Sequence, residues 1–258
     1  NVSADSVINQ FGSTISGGTI NTTGTGKLVA FNSSSNILSN VTLNGTLDLA
    51  SATGVERVQN NLALNGTVNL NAGSILNFEG NNTLSGNASI VFGNGGSNRI
   101  GVDNNGVLTI GASATIRGQN GEIGTSVFFG GNNQLINQGL ISSDSGGILT
   151  IHALNSGFVN QAIVEAKGAG SIMQLRSAVD NTGGTLRSSN GGVISQQGVS
   201  VTGGTISNTT GGSYTLTNNG NNYLRGVTLT AGSSIDMAST LAAARVTNGL
   251  TNNGTINL

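Results

Sequence analysis

The sequence predicts an all-β fold, a right-handed parallel β-helix (β-solenoid) of about 12 coils with 20–23 residues in each coil. Three observations support this prediction. The chain consists of short strands, the strands recur at a nearly constant spacing, and the composition contains very few charges. The right hand follows from the general preference of crossover connections between parallel strands.

The strands are recognised by short alternating runs of apolar and polar residues. Each run has about five residues and is bounded by Gly, Asn or Ser, which is typical of a strand between two turns. Examples are GTLDL (45–49), GTVNL (66–70), GVLTI (106–110) and GILTI (147–151). No run is followed by a helical pattern of about 10–15 residues, so alternating β–α units are not expected.

The spacing of the strands indicates the coil. Gly45, Gly66, Gly86 and Gly106 begin successive strands at intervals of about 20 residues. Further along, LINQGLISSDSGGILTI (135–151) aligns with FVNQAIVEAKGAGSIMQ (158–174) at a shift of about 23 residues. A one-way period of this length favours a solenoid over an antiparallel barrel, which would show hairpins without a constant period.

The composition suits such a stack. The 258 residues include 42 Gly, 7% charged residues and no Pro or Cys, with a net charge of −1. Like charges stacked at strand spacing repel one another, and Pro would remove a hydrogen-bond donor from the ladder. The absence of Cys excludes disulfides and Cys-based metal sites. The lack of a basic cluster argues against nucleic acid as a partner, and no apolar run is long enough for a membrane span.

A longer period lies above the coil. ISGGTINTTGTG (15–26) realigns with VTGGTISNTTGG (201–212), and residues 56–70 match residues 244–258 at 9 of 15 positions. We therefore expect one continuous solenoid over residues 1–258, cut from a longer chain, with a long repeat of about 187 residues. The first copy covers residues 15–200, and residues 201–258 are the start of a second copy. Because bare strand edges pair readily, both ends are expected to continue, covalently or by end-to-end stacking.

Two charged positions recur in the long repeat, Asp48 with Asp236 and Arg57 with Arg245. Their recurrence suggests either a bridge at a corner of the coil or a contact with a neighbouring fibre. The alternative is a capped turn beside a solvated arginine.

Three further charged residues suggest chemistry. Asp144 and Glu165 lie about one coil apart and are considered as an acid–base pair of the kind that glycoside hydrolysis needs. The shift that aligns 135–151 with 158–174 instead places Asp144 with Lys167, which favours an ion pair between these two. His152, the single histidine, is expected to be structural or to lie on the surface. No catalytic residue, cofactor or metal site is expected.

The stretch LTNNGNNYLRGVTLTAGSSIDM (216–237) resembles the β-helical repeats of bacterial autotransporter passengers and filamentous-haemagglutinin-type adhesins. FEGNNTLSGNASIVF (78–92) is a weaker match that lacks the Tyr. The resemblance implies a stalk or adhesive fibre on a bacterial cell surface, exported and without catalysis. Its implied partners are other copies of the chain, joined end to end or laterally, and glycans of host or neighbouring cells.

Two other classes of function stay open from the sequence. One is a polysaccharide-processing β-helix, similar to a tail-spike or a lyase, and the other is a glycan-binding or ice-binding module. A groove holding two carboxylates would favour the first of these. A flat threonine face would favour the second.

Overall fold

A computed structural model describes residues 1–153, 156–238 and 241–258. The chain is all-β, with almost no helix, and its parallel strands stack as a β-solenoid of about eleven turns. The predicted parallel β-helix is therefore confirmed. The one helical element bounded in the described residues is a short 3₁₀ turn at Ala50–Ala52.

The strands of the described residues run from β1 to β29 in chain order. They are β1 (Val7–Gln10), β2 (Thr14–Ser16), β3 (Thr19–Asn21), β4 (Lys27–Ala30), β5 (Ile37–Asp48), β6 (Val55–Leu70), β7 (Ile75–Glu79), β8 (Asn82–Ser85), β9 (Ala88–Phe92), β10 (Arg99–Asp103), β11 (Val107–Ile110), β12 (Thr115–Gly118), β13 (Gly121–Thr125), β14 (Gln134–Asn137), β15 (Leu140–Ser143), β16 (Gly147–Ile151), β17 (Phe158–Asn160), β18 (Ile163–Lys167), β19 (Ser171–Leu175), β20 (Val179–Asp180), β21 (Thr185–Ser189), β22 (Val193–Gln196), β23 (Ser200–Thr202), β24 (Thr205–Thr209), β25 (Ser213–Leu216), β26 (Tyr223–Leu229), β27 (Ser234–Asp236), β28 (Arg245–Asn252) and β29 (Thr255–Asn257).

Parallel pairing arranges these strands on three faces, because each segment pairs with the segment one turn further along the chain. The first face contains β1, β4, β9, β12, β15, β18, β21, β24 and the ends of β5, β6, β26 and β28. The second face contains β2, β7, β10, β13, β16, β19, β22, β25, β27, β29 and the starts of β5 and β6. The third face contains β3, β8, β11, β14, β17, β20, β23, the starts of β26 and β28, and the middle of β5 and β6.

The core consists of apolar columns parallel to the solenoid axis. On the first face Leu28 pairs with Leu47, Leu47 with Val68, and Val68 with Ile90. All four side chains are completely buried. Alternation within each strand places one such residue inside at every turn, so burial of apolar surface is repeated along the whole rod.

The turns are less uniform than the sequence predicts. Several keep the expected length, but the turn that joins Leu108 to its partner Leu135 is longer, and so is the turn that joins Ile123 to Ile151. The extra residues lie in corner segments such as 126–133, which leave the strand pairing on either side intact. The predicted coil length is therefore wrong for the middle of the chain, and the longer turns reduce the number of coils to about eleven.

Close stacking explains one of the periodic glycines. Gly45 and Gly66 are register partners in adjacent turns. A Cβ atom on Gly66 would lie 1.9 Å from the carbonyl oxygen of Gly45, so a side chain there would collide with backbone. The glycine spacing seen in the sequence thus reflects, at this point, direct contact between turns.

Buried asparagines form a ladder at the end of the third face. The Nδ2 of Asn137 donates to Oδ1 of Asn160 at 2.8 Å, and the Nδ2 of Asn160 donates to Oδ1 of Asn181 at 2.7 Å. All three side chains are completely buried. Each amide therefore satisfies polar groups of the adjacent turns, which ties the turns together without charge.

Replacing Asn160 with alanine is expected to lower the free energy of unfolding by about 2–4 kcal/mol, because it leaves an Asn137 donor and an Asn181 acceptor buried without this partner. The adjacent Gln161 provides the control, since it is exposed and continues a surface ladder by accepting from Gln138 at 3.0 Å. Gln161→Ala should change stability by less than about 0.5 kcal/mol. Chemical denaturation of both variants measures the difference, and equal losses would contradict a special role of the buried ladder.

The pairing of the first turns recurs near the end of the chain. Residues 7–44 correspond to residues 193–230, so the second copy extends back to residue 193 from the expected start at 201. After a slip of two positions, residues 55–70 correspond to residues 243–258. Both copies have an irregularity in the strand register at the same point, between Ser39 and Val41 in the first copy and between Arg225 and Val227 in the second.

The hydrogen bonds of two buried amides recur with the register. The Nδ2 of Asn36 donates to the carbonyl oxygens of Phe31 and Val55. The Nδ2 of Asn222 donates to the carbonyl oxygens of the corresponding Thr217 and Ala243. Gln10 and Gln196 likewise bind corresponding carbonyl groups. The local structure of the two segments is therefore alike, although their surfaces differ.

The two copies do not lie on the same faces. Eight successive pairings on the first face lead from β1 to β21, and the counterpart of β1 is the next strand, β22, on the second face. In the same way β3 on the third face corresponds to β24 on the first. The second copy is thus displaced by eight turns and one further face.

Candidate functional site

Asp48 and Arg57, which recur in the long repeat, do not bridge each other. Asp48 lies at the end of β5 and binds Lys27 through Nζ and Oδ2 at 2.5 Å. Its Oδ1 also accepts from the backbone N–H of Ser51 at 3.0 Å. Burial opposes ionisation, but the hydrogen bonds from Lys27 and Ser51 outweigh it and hold the pKa of Asp48 below its ordinary value. Asp48 therefore caps the turn at Ser51, as the alternative expects, and pairs with Lys27 of the turn below instead of bridging to Arg57.

Arg57 points along the second face toward the following turn. Its guanidinium binds Glu79, with Nη2 2.8 Å from Oε2, and donates through Nη1 to the carbonyl oxygen of Ser34 at 2.9 Å. The hydrogen bond to Glu79 raises the pKa of Arg57. The guanidinium carbon also lies 5.0 Å from the centre of the Phe129 ring. Arg57 is therefore held from three sides within the protein, which makes it a stabilising residue of the rod.

The counterpart of Arg57 in the second copy, Arg245, has other partners. Arg245 donates to the hydroxyl oxygen of Tyr223 at 2.9 Å, and Arg225 lies over the same ring at 4.4 Å from its centre. Asp236 pairs in register with Thr215 and Asn257 on the second face. The recurrence of Arg57 as Arg245 in the sequence therefore does not bring a recurrence of the contacts of this arginine.

The predicted ion pair between Asp144 and Lys167 is not formed. The register of β15 and β18 confirms the alignment of these two turns, since Ser142 pairs with Glu165. Asp144 nevertheless binds Arg117 of the preceding turn, with Nε 2.7 Å from Oδ2. The long arginine side chain reaches Asp144 from below, so Lys167 has no ion pair with any described residue.

Asp144 and Glu165, the two carboxylates considered as an acid–base pair, are bound by different arginines. Glu165 is nearly buried, binds Arg187 and accepts from the hydroxyl of Ser142 at 2.9 Å. Asp144 is neutralised separately by Arg117. Each carboxylate is therefore engaged by a different arginine and is directed to its own neighbour. His152 is partly exposed and contacts Glu122, with Nδ1 2.6 Å from Oε1.

The corner loop at residues 126–129, which the sequence does not predict, is held in place by a buried carboxylate. The buried carboxylate of Asp103 accepts from the hydroxyl of Ser126 and from the backbone N–H groups of Val127 and Phe128, the last at 2.8 Å. Gly101 leaves room for this loop, because a Cβ there would lie 2.6 Å from Cγ2 of Val127. The loop presents Phe129, which is 52% exposed. Only the three-dimensional stack brings residues this far apart in sequence together.

The second face also has a polar groove that the sequence does not predict. It has a volume of about 330 Å³ and crosses four turns, from β10 to the end of β19. Its lining includes Arg99, Glu122, Ile148, Thr150 and Arg176. The three charged residues lie in three different turns, and the unequal lengths of the turns hide their alignment.

No family model, curated protein or solved structure matches the chain. The described part of the chain contains no group of three His, Cys, Asp or Glu side chains suited to hold a metal ion. Among the same residues there is no helix with the length and hydropathy that crossing a membrane requires.

Proposed function

We propose that the chain is a structural and adhesive segment of an extracellular bacterial surface fibre or adhesin stalk. The observation that carries this proposal is the continuous parallel stack of about eleven turns, in which buried amide ladders and ion pairs between turns reinforce the backbone pairing. Such a rod is stiff along its axis and offers long side faces to partners. The resemblance of residues 216–237 to bacterial surface repeats supports the extracellular location.

Self-association is the partner interaction that this proposal requires. In the described end turns, Ile8 and Val246 are 39% and 50% exposed. Their register partners in the adjacent turns, Leu28 and Leu224, are buried. Open strand edges and apolar side chains together favour pairing with another strand of the same kind. Either a further turn of the same chain or end-to-end contact with another copy would cover both.

Electron microscopy with fibre diffraction tests the proposal. We expect the purified protein to form thin filaments whose diffraction shows the axial spacing of about 4.8 Å between turns. Val246→Lys should reduce filament length. Ile148→Lys, at a residue that is 41% exposed on a side face, should leave filament length unchanged. Discrete monomers that degrade a polysaccharide would contradict the proposal and favour the polysaccharide-processing alternative.

A further inference from the structure

We propose that the groove on the second face is a binding site for an acidic saccharide, with Arg99 and Arg176 as the residues that bind its carboxylate or sulfate groups. This site is independent of the structural role proposed above, because it lies on a side face of the rod and takes no part in contacts between the ends of two copies.

The distribution of charges favours an anionic ligand. Four of the nine basic residues, Lys27, Arg57, Arg117 and Arg187, bind carboxylates of the chain. The other five form no ion pair with the described residues: Arg99, Lys167, Arg176, Arg225 and Arg245. These ion pairs neutralise as many basic as acidic residues, and Glu56 and Asp103 are buried outside them, so the exposed charges are slightly more basic than the formal net charge of −1 indicates.

Two of these five basic residues line the same groove. Arg99 begins β10, and Arg176 directly follows β19, three turns further along the second face. Three turns correspond to about 14 Å along the axis. An arginine thus lies toward each end of a groove that runs parallel to the rod. Glu122, the register partner of Arg99, also lines the groove, and its Oε1 lies 2.6 Å from Nδ1 of His152.

The remainder of the lining suits sugar hydroxyl groups. Ser97 offers an exposed hydroxyl group and Ile148 adds an exposed apolar side chain, while the polar groups of Asn120 and Thr150 also hydrogen-bond within the chain. Planar guanidinium groups bind carboxylates and sulfates through two parallel hydrogen bonds. Two arginines are too few for nucleic acid, whose affinity at ordinary salt rests on about 6–10 phosphate contacts.

Binding measurements with defined oligosaccharides test the site. The probes are a hyaluronan hexasaccharide, which carries carboxylates, a chondroitin sulfate hexasaccharide, which adds sulfates, and neutral maltohexaose. We expect the acidic sugars to bind and maltohexaose not to bind. Arg99→Gln and Arg176→Gln should each weaken binding about tenfold, and the double variant more, because each removes charge-assisted hydrogen bonds.

Arg225→Gln is the matched control, since Arg225 also has no carboxylate partner among the described residues but lies on the third face. Binding should survive this change with less than a twofold loss. Circular dichroism and thermal unfolding confirm that all variants keep the fold. Three results would overturn the proposal: no binding of either acidic sugar, an equal loss in Arg225→Gln, or tighter binding of duplex DNA than of the acidic sugars. Failure of this site would leave filament formation unaffected.

Discussion

Arg57→Ala is expected to lower the free energy of unfolding by about 3–5 kcal/mol. The substitution leaves the carboxylate of Glu79, whose side chain is only 3% exposed, buried without its cation. Gln59 donates to the same carboxylate at 2.8 Å but carries no charge, so it does not replace the arginine. The loss of contact with the Phe129 ring adds to the effect. Urea denaturation of the two proteins measures the change.

Arg245→Ala is the control for this prediction, because Arg245 corresponds to Arg57 in the second copy. It is exposed and binds the neutral hydroxyl and ring of Tyr223. Its replacement should cost less than about 1 kcal/mol. If the two variants lost the same stability, the buried pair with Glu79 would not be the source of the effect.

Glu56 is expected to make the protein less stable as the pH rises. Its side chain is completely buried, and both carboxyl oxygens lack a hydrogen-bond partner among the described residues. Burial raises the pKa of Glu56 well above its ordinary value, against a smaller opposing effect of Gln10. Glu56 therefore keeps its proton in the folded protein when the unfolded chain has lost it. A protonated carboxyl can donate to Gln10, whose Oε1 also lacks a donor among the described residues.

In the second copy another side chain provides the hydrogen-bond donor for the corresponding glutamine. There Gln196 corresponds to Gln10, and its Oε1 accepts from the hydroxyl of Tyr214 at 2.8 Å. The residue corresponding to Glu56 is Ala244, and the residue corresponding to Tyr214 is Leu28. Each copy therefore has one buried hydroxyl-bearing group near this glutamine, a tyrosine in one and a carboxyl group in the other. This exchange supports a neutral Glu56.

The direction of the pH effect follows from proton binding. Below a pH of about 4.3 the carboxyl is protonated in both the folded and the unfolded protein, and its contribution to stability is fully present. Above that pH only the unfolded chain releases the proton, so the contribution is lost by about 1.4 kcal/mol per pH unit until the folded pKa is reached.

Glu56→Gln isolates this effect, because glutamine has a similar shape and cannot ionise. The free energy of unfolding of both proteins is measured by chemical denaturation at pH 4, 6 and 8. We expect the natural protein to lose stability relative to the variant as the pH rises, while other carboxylates affect both proteins alike. Parallel curves over the whole range would show that Glu56 is ionised in the folded protein.

The regular parts of the fold were predictable from the sequence, because alternation and spacing are local signals. GTLDL and GTVNL lie in paired strands of adjacent turns, as their common pattern predicts. The length of the middle turns was not predictable, since corner segments such as 126–133 do not alternate and contain no periodic signal. Glu56 violates the alternation rule, because a carboxyl group occupies an inward position.

The charged contacts were harder to predict for a related reason. Asp144 and Lys167 directly follow the register partners Ser143 and Ala166, but the partner of Asp144 is decided by the reach of Arg117 from the turn below. The groove on the second face depends on the summed lengths of three unequal turns. Such contacts become visible only when the register of every turn is known.

The displacement between the two copies, eight turns and one further face, has a consequence for the way a partner meets the rod. At about 4.8 Å per turn, corresponding surfaces are separated by roughly 40 Å along the axis and point in different directions. Successive copies are therefore rotated by one face about the rod axis as well as translated along it. In any tandem array with this offset, only every third copy would face a given flat surface, at intervals of roughly 120 Å. The other two copies would point sideways, free to join neighbouring rods into a mat.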